Sequence, residues 1–283
     1  MTTQRRRLFS EPEAAKVPEI TLMFWVAKLL TTAAGEAVSD YLGLGNLVVG
    51  AGVEIGLLVV GLVWQFRVRR YTAASYWFLA YAIAVFGTGA SDTLHQVVGL
   101  PYAATTVLWA LALAVVFVVW YRREGTLSIH SIVTRRREAF YWSTVFATFA
   151  LGTALGDFTA VSLGLGYLAS IALFFAAILV PAVGSRLGLG AVTSFWWAYV
   201  LTRPLGASVA DYVSKAPSIS GLGFGDGQTA LVATLAVAVA VAGLALTRHG
   251  IQRAPTWAGP QGEHRIDRKP FRLRGDLPGL CGD

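Results

Sequence analysis

Four times along this chain, an aromatic residue and a tryptophan are followed by a glycine ten positions after the tryptophan and an aspartate fifteen positions after it. The copies open at Phe24-Trp25, Tyr76-Trp77, Tyr141-Trp142 and Phe195-Trp196. Their glycines are Gly35, Gly87, Gly152 and Gly206, and their aspartates are Asp40, Asp92, Asp157 and Asp211. Self-similarity of this kind marks one supersecondary unit used several times. Each copy begins an apolar stretch, passes through a glycine-rich turn ("LGLG" at 42–45 and 163–166, "GLGFG" at 221–225) and enters a second apolar stretch. The unit is therefore a helix pair, and the chain holds four of them.

The apolar stretches have the length a bilayer demands. About 20 helical residues cross roughly 30 Å of hydrocarbon. Eight such segments are predicted, near 20–42, 46–66, 75–98, 102–121, 138–163, 166–184, 193–214 and 227–247. Composition agrees: 55% of residues are hydrophobic, 14% are charged, and the mean hydropathy is +0.58. Soluble domains carry about a quarter charged residues. The expected fold class is an all-α integral membrane protein with eight transmembrane helices.

The net charge of +7 raises the question of nucleic acid. Its distribution answers against it. The basic residues cluster in "RRR" (5–7), "RVRR" (67–70), "RR" (122–123), "RRR" (135–137) and the tail, with Arg186 between the sixth and seventh segments. The opposite connections hold a single basic residue, Lys215. Such asymmetry marks cytoplasmic loops. It predicts a multi-pass protein of the cytoplasmic membrane with both termini cytoplasmic, the lipid bilayer as partner and no nucleic acid. A signal-peptide reading of the N-terminus fails because Lys28 interrupts the apolar run and the same segment recurs later as a full helix. Cys281, the only cysteine, lies in the tail, so no internal disulfide or thiolate metal cluster is expected. No cofactor is implied.

Each unit crosses the bilayer twice, so all four share one orientation, related by an axis along the membrane normal. The repeats fall near 20–70, 71–124, 138–188 and 192–248, forming a membrane domain over 20–248. Residues 1–19 form a cytoplasmic N-terminal segment, and residues 249–283, rich in proline, glycine and charge, a disordered cytoplasmic tail. The odd helices hold the motif, whereas the even ones are nearly featureless apart from Glu54. The odd helices are expected inside and the even ones outside. The four Trp-Gly-Asp copies make residues 17–249 resemble a family of bacterial membrane proteins built from four tandem two-helix repeats of unknown function with a characteristic tryptophan. That resemblance implies architecture and location, not an activity.

The motif residues have bland and specific readings. Trp25, Trp77, Trp142 and Trp196 fit an interfacial aromatic belt. Gly35, Gly87, Gly152 and Gly206, ~15 Å further along each helix, fit close helix crossings. Asp40, Asp92, Asp157 and Asp211 lie ~22 Å from their tryptophans, where both desolvation and the helix dipole oppose a carboxylate. Four in register fit a shared cation or proton site, or equally a layer of hydrogen-bonded structural aspartates. Lys28, Thr32, Glu36 and Asp40 are spaced by four and form one polar stripe; Tyr199, Arg203 and Asp211 echo it. Lys28 and Arg203 are expected to pair with Glu36 or Glu54, or to act as tethered cations competing with a transported one. Pro204 removes a helix hydrogen bond and predicts a bend. Asp92 and His95 form a weak metal pair, and oxygen-rich surroundings favour hard cations such as Mn²⁺ or Mg²⁺.

Two functions follow. The first is a small transporter or permease for a cation, either a divalent metal or a proton-coupled solute, using Asp40, Asp92, Asp157, Asp211, Glu36 and His95. The second is a membrane scaffold or regulatory partner without transport. An enzyme is not expected: there is no HExxH, no phosphate-binding glycine loop and no Ser/His pair at helical spacing.

Overall fold

A computed structural model describes residues 15–184 and 188–247. Most of the N-terminal segment, Arg186, Cys281 and the tail lie outside the described residues. Among the described residues the chain forms eight α-helices and no strand. They are α1 (Leu22–Gly43), α2 (Leu47–Arg67), α3 (Ala73–Asp92), α4 (Tyr102–Glu124), α5 (Arg135–Asp157), α6 (Gly166–Gly184), α7 (Ala191–Ser214) and α8 (Asp226–Thr247). Their starts are chemically specified. The side chains of Thr21, Asn46, Thr72 and Thr134 accept backbone N–H groups of the first turns of α1, α2, α3 and α5. Gly125 ends α4 with φ 69°, a left-handed conformation that glycine adopts without penalty.

Two helices change pitch at the motif aspartate. After Asp92, α3 widens into a π-turn over Thr93–Val97, and after Asp157, α5 does the same over Phe158–Ser162. Such wide turns concentrate at functional positions. By contrast, α7 runs unbroken through Pro204.

Five helices are long and apolar enough to cross a membrane: α2, α3 with its π-turn, α4, α5 with its π-turn, and α8. The apolar part of α6, Gly166–Pro181, is shorter. Eight spans were expected; α1 and α7 are not among the five because Lys28, Glu36 and Asp40 in one, and Arg203 and Asp211 in the other, lower their mean hydropathy. Those two helices bury their charges against neighbours.

The packing order is simple. α1 packs on α3, α3 on α5, α5 on α7, and α7 returns to α1. Each even helix lies mainly against the next odd one: α2 on α3, α4 on α5, α6 on α7, and α8 back on α1. Burial follows this order. The apolar windows of α3 and α5 are 67% and 72% buried, against 17% for α2, α4 and α8. Large apolar side chains such as Val48, Leu111, Leu231 and Val239 are exposed on the even helices. In water such a surface would be an aggregation liability.

Candidate functional site

The odd helices meet through every fourth residue, ~6 Å apart along each axis. Counting from the tryptophans, the facing sets are Phe24, Tyr76, Tyr141 and Phe195; then Lys28, Ala80, Val145 and Tyr199; then Thr32, Ala84, Phe149 and Arg203; then Glu36, Thr88, Thr153 and Ala207; and last the four aspartates. Apart from the half-buried Phe195, the first four sets are buried throughout.

The first set seals one end. Phe24 lies 5.6 Å from Trp77, Tyr76 5.2 Å from Trp142, Tyr141 6.2 Å from Trp196, and Phe195 5.9 Å from Trp25, between ring centres. Each copy's aromatic thus meets the next copy's tryptophan, and the fourth closes on the first. Trp77, Trp142 and Trp196 are buried and Trp25 is half-buried. The indoles therefore pack inward, not outward as an aromatic belt would. Within this layer the Tyr76 and Tyr141 hydroxyls hydrogen-bond each other.

The motif glycines repeat the same step. A Cβ on Gly35 would lie 2.9 Å from the Ala84 carbonyl carbon, and one on Gly87 2.9 Å from the Phe149 Cβ. One on Gly152 would lie 2.5 Å from the Arg203 Cβ, and one on Gly206 2.8 Å from the Thr32 Cβ. Each glycine is a notch for the third-set residue of the following copy. Any side chain there would force neighbouring backbones apart.

Inside this frame the polar residues are not fourfold. The Glu36 carboxylate accepts from Thr88 Oγ1 at 2.8 Å, Thr153 Oγ1 at 2.9 Å and Arg203 Nη2 at 3.3 Å. Arg203 also donates to the Thr32 carbonyl at 3.0 Å and to Thr88 Oγ1 at 2.7 Å. All four odd helices are tied at one level. A buried guanidinium and carboxylate offset their desolvation only with such additional hydrogen bonds. Lys28 pairs with neither expected glutamate. Its Nζ sits 3.9 Å from the Tyr199 ring centre and 5.1 Å from that of Phe149, with no hydrogen-bond partner.

Beyond the ion pair the core opens. Asp40, Asp92, Asp157 and Asp211, with Glu36, line one cavity of about 110 Å³. Gln96, Tyr102, Val161, Tyr167 and Lys215 complete its wall. Asp211 is buried; the other three aspartates are half-buried. Lys215, just past α7, donates to Asp40 Oδ2 at 2.7 Å and Asp226 Oδ1 at 3.1 Å. Burial opposes its charge, but Asp40, Asp211 and Asp226 outweigh that and hold the ammonium above its ordinary pKa. Among the described residues, no three His, Cys, Asp or Glu side chains stand close enough to hold a metal ion directly.

An adjoining cavity of about 190 Å³ shares Asp40, Asp92, Gln96 and Lys215 and extends to Glu54. Glu54 Oε1 accepts from Ser39 Oγ at 2.7 Å rather than from a cation. Its other oxygen lies over Gly89, where a Cβ would collide with it. His95 stands apart from Asp92's chemistry: its Nδ1 is 2.8 Å from the Leu100 carbonyl, and its ring stacks on Tyr102 at 3.6 Å.

The repeat geometry has a counterpart in other sequences. The family model described as Repeat of Unknown Function (DUF347) matches four times, over residues 23–71, 75–126, 140–185 and 194–249. The chain belongs to the DUF347 repeat family. No curated protein and no solved structure matches it. The four DUF347 repeats coincide with the four copies that supply the cavity's aspartates. Asp226, Gln96, Tyr102 and Tyr167 were not singled out from sequence. Lys215 was, but only as the lone basic residue on its side and not as part of the site.

Proposed function

We propose that this DUF347 protein is a cytoplasmic-membrane permease for a cation, a divalent metal or a proton-coupled solute, with the aspartate cavity as its binding chamber. In this reading all eight helices cross the bilayer as four parallel repeats, with odd helices inside, even helices outside and both termini cytoplasmic. The supporting observation is the convergence of one carboxylate from each repeat, together with Glu36, on a single cavity. Carboxylates within membrane helices are costly, and they mark ion pathways when they face a cavity. The aromatic layer and the Arg203–Glu36 tie close the core on the other side. Passage therefore requires that closed side to open, so the core is not a continuous pore. With no three His, Cys, Asp or Glu side chains close enough to hold a metal directly among the described residues, the chamber suits a cation that keeps part of its water shell, as Mg²⁺ commonly does.

Purified protein in liposomes tests this reading. Mn²⁺ or Mg²⁺ uptake is expected, with D211N and D157N reducing it at least tenfold while expression and unfolding temperature hold. Equal flux in these variants would sink the proposal. The second reading, a scaffold, draws on the salt bridges that already hold Asp40 and Asp226. It expects no flux in any vesicle and tolerance of every single Asp→Asn change.

A further inference from the structure

Lys28 is the polar residue of the core that the aspartate chamber leaves unexplained. It is 2% exposed, at the second level of the core, and it breaks the fourfold pattern: Ala80, Val145 and Tyr199 occupy the equivalent positions. Its Nζ is held between two aromatic faces and has no hydrogen-bond partner. Two further buried atoms in the next level also lack partners: Thr32 Oγ1 and Arg203 Nε. The Arg203 guanidinium sits 4.3 Å from the same Phe149 ring. Two basic side chains thus share one aromatic face, and the carboxylate at hand, Glu36, is committed to the arginine.

The charge state of such an amine is set by what surrounds it. The ring faces of Tyr199 and Phe149 favour an ammonium. The missing acceptor and the neighbouring guanidinium oppose it. Lys28 meets Arg203 and the Tyr199 ring from α7 and the Phe149 ring from α5; Tyr76 of α3 and Tyr141 of α5 stand one level toward the tryptophans, and Glu36 two levels beyond on its own helix. Within α8 the only acidic residue is Asp226 at the start of the helix, and within α2 it is Glu54. The chamber's carboxylates lie two or more levels beyond, on the same axis. On the other side, toward the tryptophans, the hydroxyls of Tyr76 and Tyr141 bond each other, with that of Tyr199 beside them.

We propose that Lys28 is the proton-exchanging group of the core, losing its proton when a cation fills the aspartate chamber and regaining it when the chamber empties. This rests on the permease reading and names its coupling. The step is an acid dissociation: the ammonium N–H bond breaks, its electron pair stays on nitrogen, and the proton is taken up by water when the tryptophan side opens. An empty chamber presents negative charge that favours the ammonium. A bound divalent cation cancels that charge and leaves Lys28 beside Arg203 alone. Cation movement one way is thereby tied to proton movement the other way.

The test uses the full chain in nanodiscs, titrated with Mn²⁺ in weak buffer at pH 7, with binding read by calorimetry and proton release by a pH dye. The wild type is expected to bind Mn²⁺ and to release up to one proton more than K28M. K28M, which mimics the neutral amine, keeps binding. K28R, permanently charged, folds with the cation retained and binds Mn²⁺ at least fivefold more weakly, again without the extra proton. Binding with equal proton release in wild type and both variants would overturn this inference while leaving the chamber intact. Absence of Mn²⁺ binding in the wild type would overturn the chamber and the coupling together.

Discussion

The two ends of the four odd helices are built from the same repeat and do opposite things. At the tryptophan end, every copy supplies a ring to the next, and the core is filled. At the aspartate end, every copy supplies a carboxylate, and the core is left open. Identical sequence spacing thus produces a seal and a chamber about 22 Å apart along each helix. The difference lies in what each residue type can tolerate. Offset aromatic rings attract at 5–6 Å and close the gap between helices. Carboxylates brought to one cavity repel, so they need solvent, a cation or a lysine between them. Lys215 fills this last role for Asp40.

Between seal and chamber lies the Arg203–Glu36 tie, and cutting it is the severest way to break the contrast. R203M leaves Glu36 with two threonine hydroxyls and no counter-ion. The expected cost is ~3–5 kcal/mol, because one member of a buried pair is stranded. That corresponds to a fall on the order of 10 °C in the apparent Tm for a chain of this size. R203M/E36Q removes both charges and is expected to recover most of the loss. A double variant as unstable as the single one would show that the geometry of the pair, not its charge, holds the four helices at this level.

The glycine notches sharpen the comparison because they lie between the two ends and hold the four helices together there. G87A places a methyl against Phe149, with the Ala150 backbone nitrogen 3.3 Å away. Overpacking of this kind costs ~1–3 kcal/mol. G56A, on α2, meets nothing within 4 Å and is expected to be neutral or slightly stabilising. Thermal unfolding of the two alanine variants side by side checks this. Equal behaviour would mean the notches are not points of close approach.

How far the sequence reached can be read from the same residues. The helix pairs, their number and the register of the motif were legible, because tryptophan, glycine and aspartate recur at fixed offsets. The glycines' purpose was legible in kind but not in partner. Nothing local says that Gly206 faces Thr32 across the closing seam, which depends on how four helices come together. The tryptophans' direction was misread for a related reason: position near a helix start fits a lipid-facing belt as well as an inward layer. Glu54 and Lys28 looked like partners for opposite charges. Tertiary packing gave one a serine and the other two aromatic rings. Lys215 stood out only as an isolated basic residue, since its acidic partners lie in α1 and α8.

Two lysines, one at each end, carry the finest test of the comparison. At the tryptophan end, the segment before α1 docks through Lys16, which donates to the Gln65 carbonyl at 2.6 Å and to Glu138 at 2.8 Å. Gln65 bonds Glu138 in turn, and Ser75 bonds Gln65, so the segment ties α2, α3 and α5 together. Burial outweighs the attraction of Glu138 and lowers the Lys16 pKa to about 8. Between about 8 and the ordinary value near 10.5, the unfolded chain therefore holds a proton that the folded one has released. Stability contributed at Lys16 must rise with pH across that window and stay level below it. At the aspartate end, Lys215 is shifted the other way, so its contribution is complete below about 10.5 and falls only as pH climbs toward its raised folded value. Apparent Tm measured from pH 7 to 10, with K16M and K215M as references, separates the two. Wild type minus K16M is expected to slope upward above pH 8, and wild type minus K215M to stay flat over the same range. Parallel curves would mean that the two ends do not differ in how they hold charge.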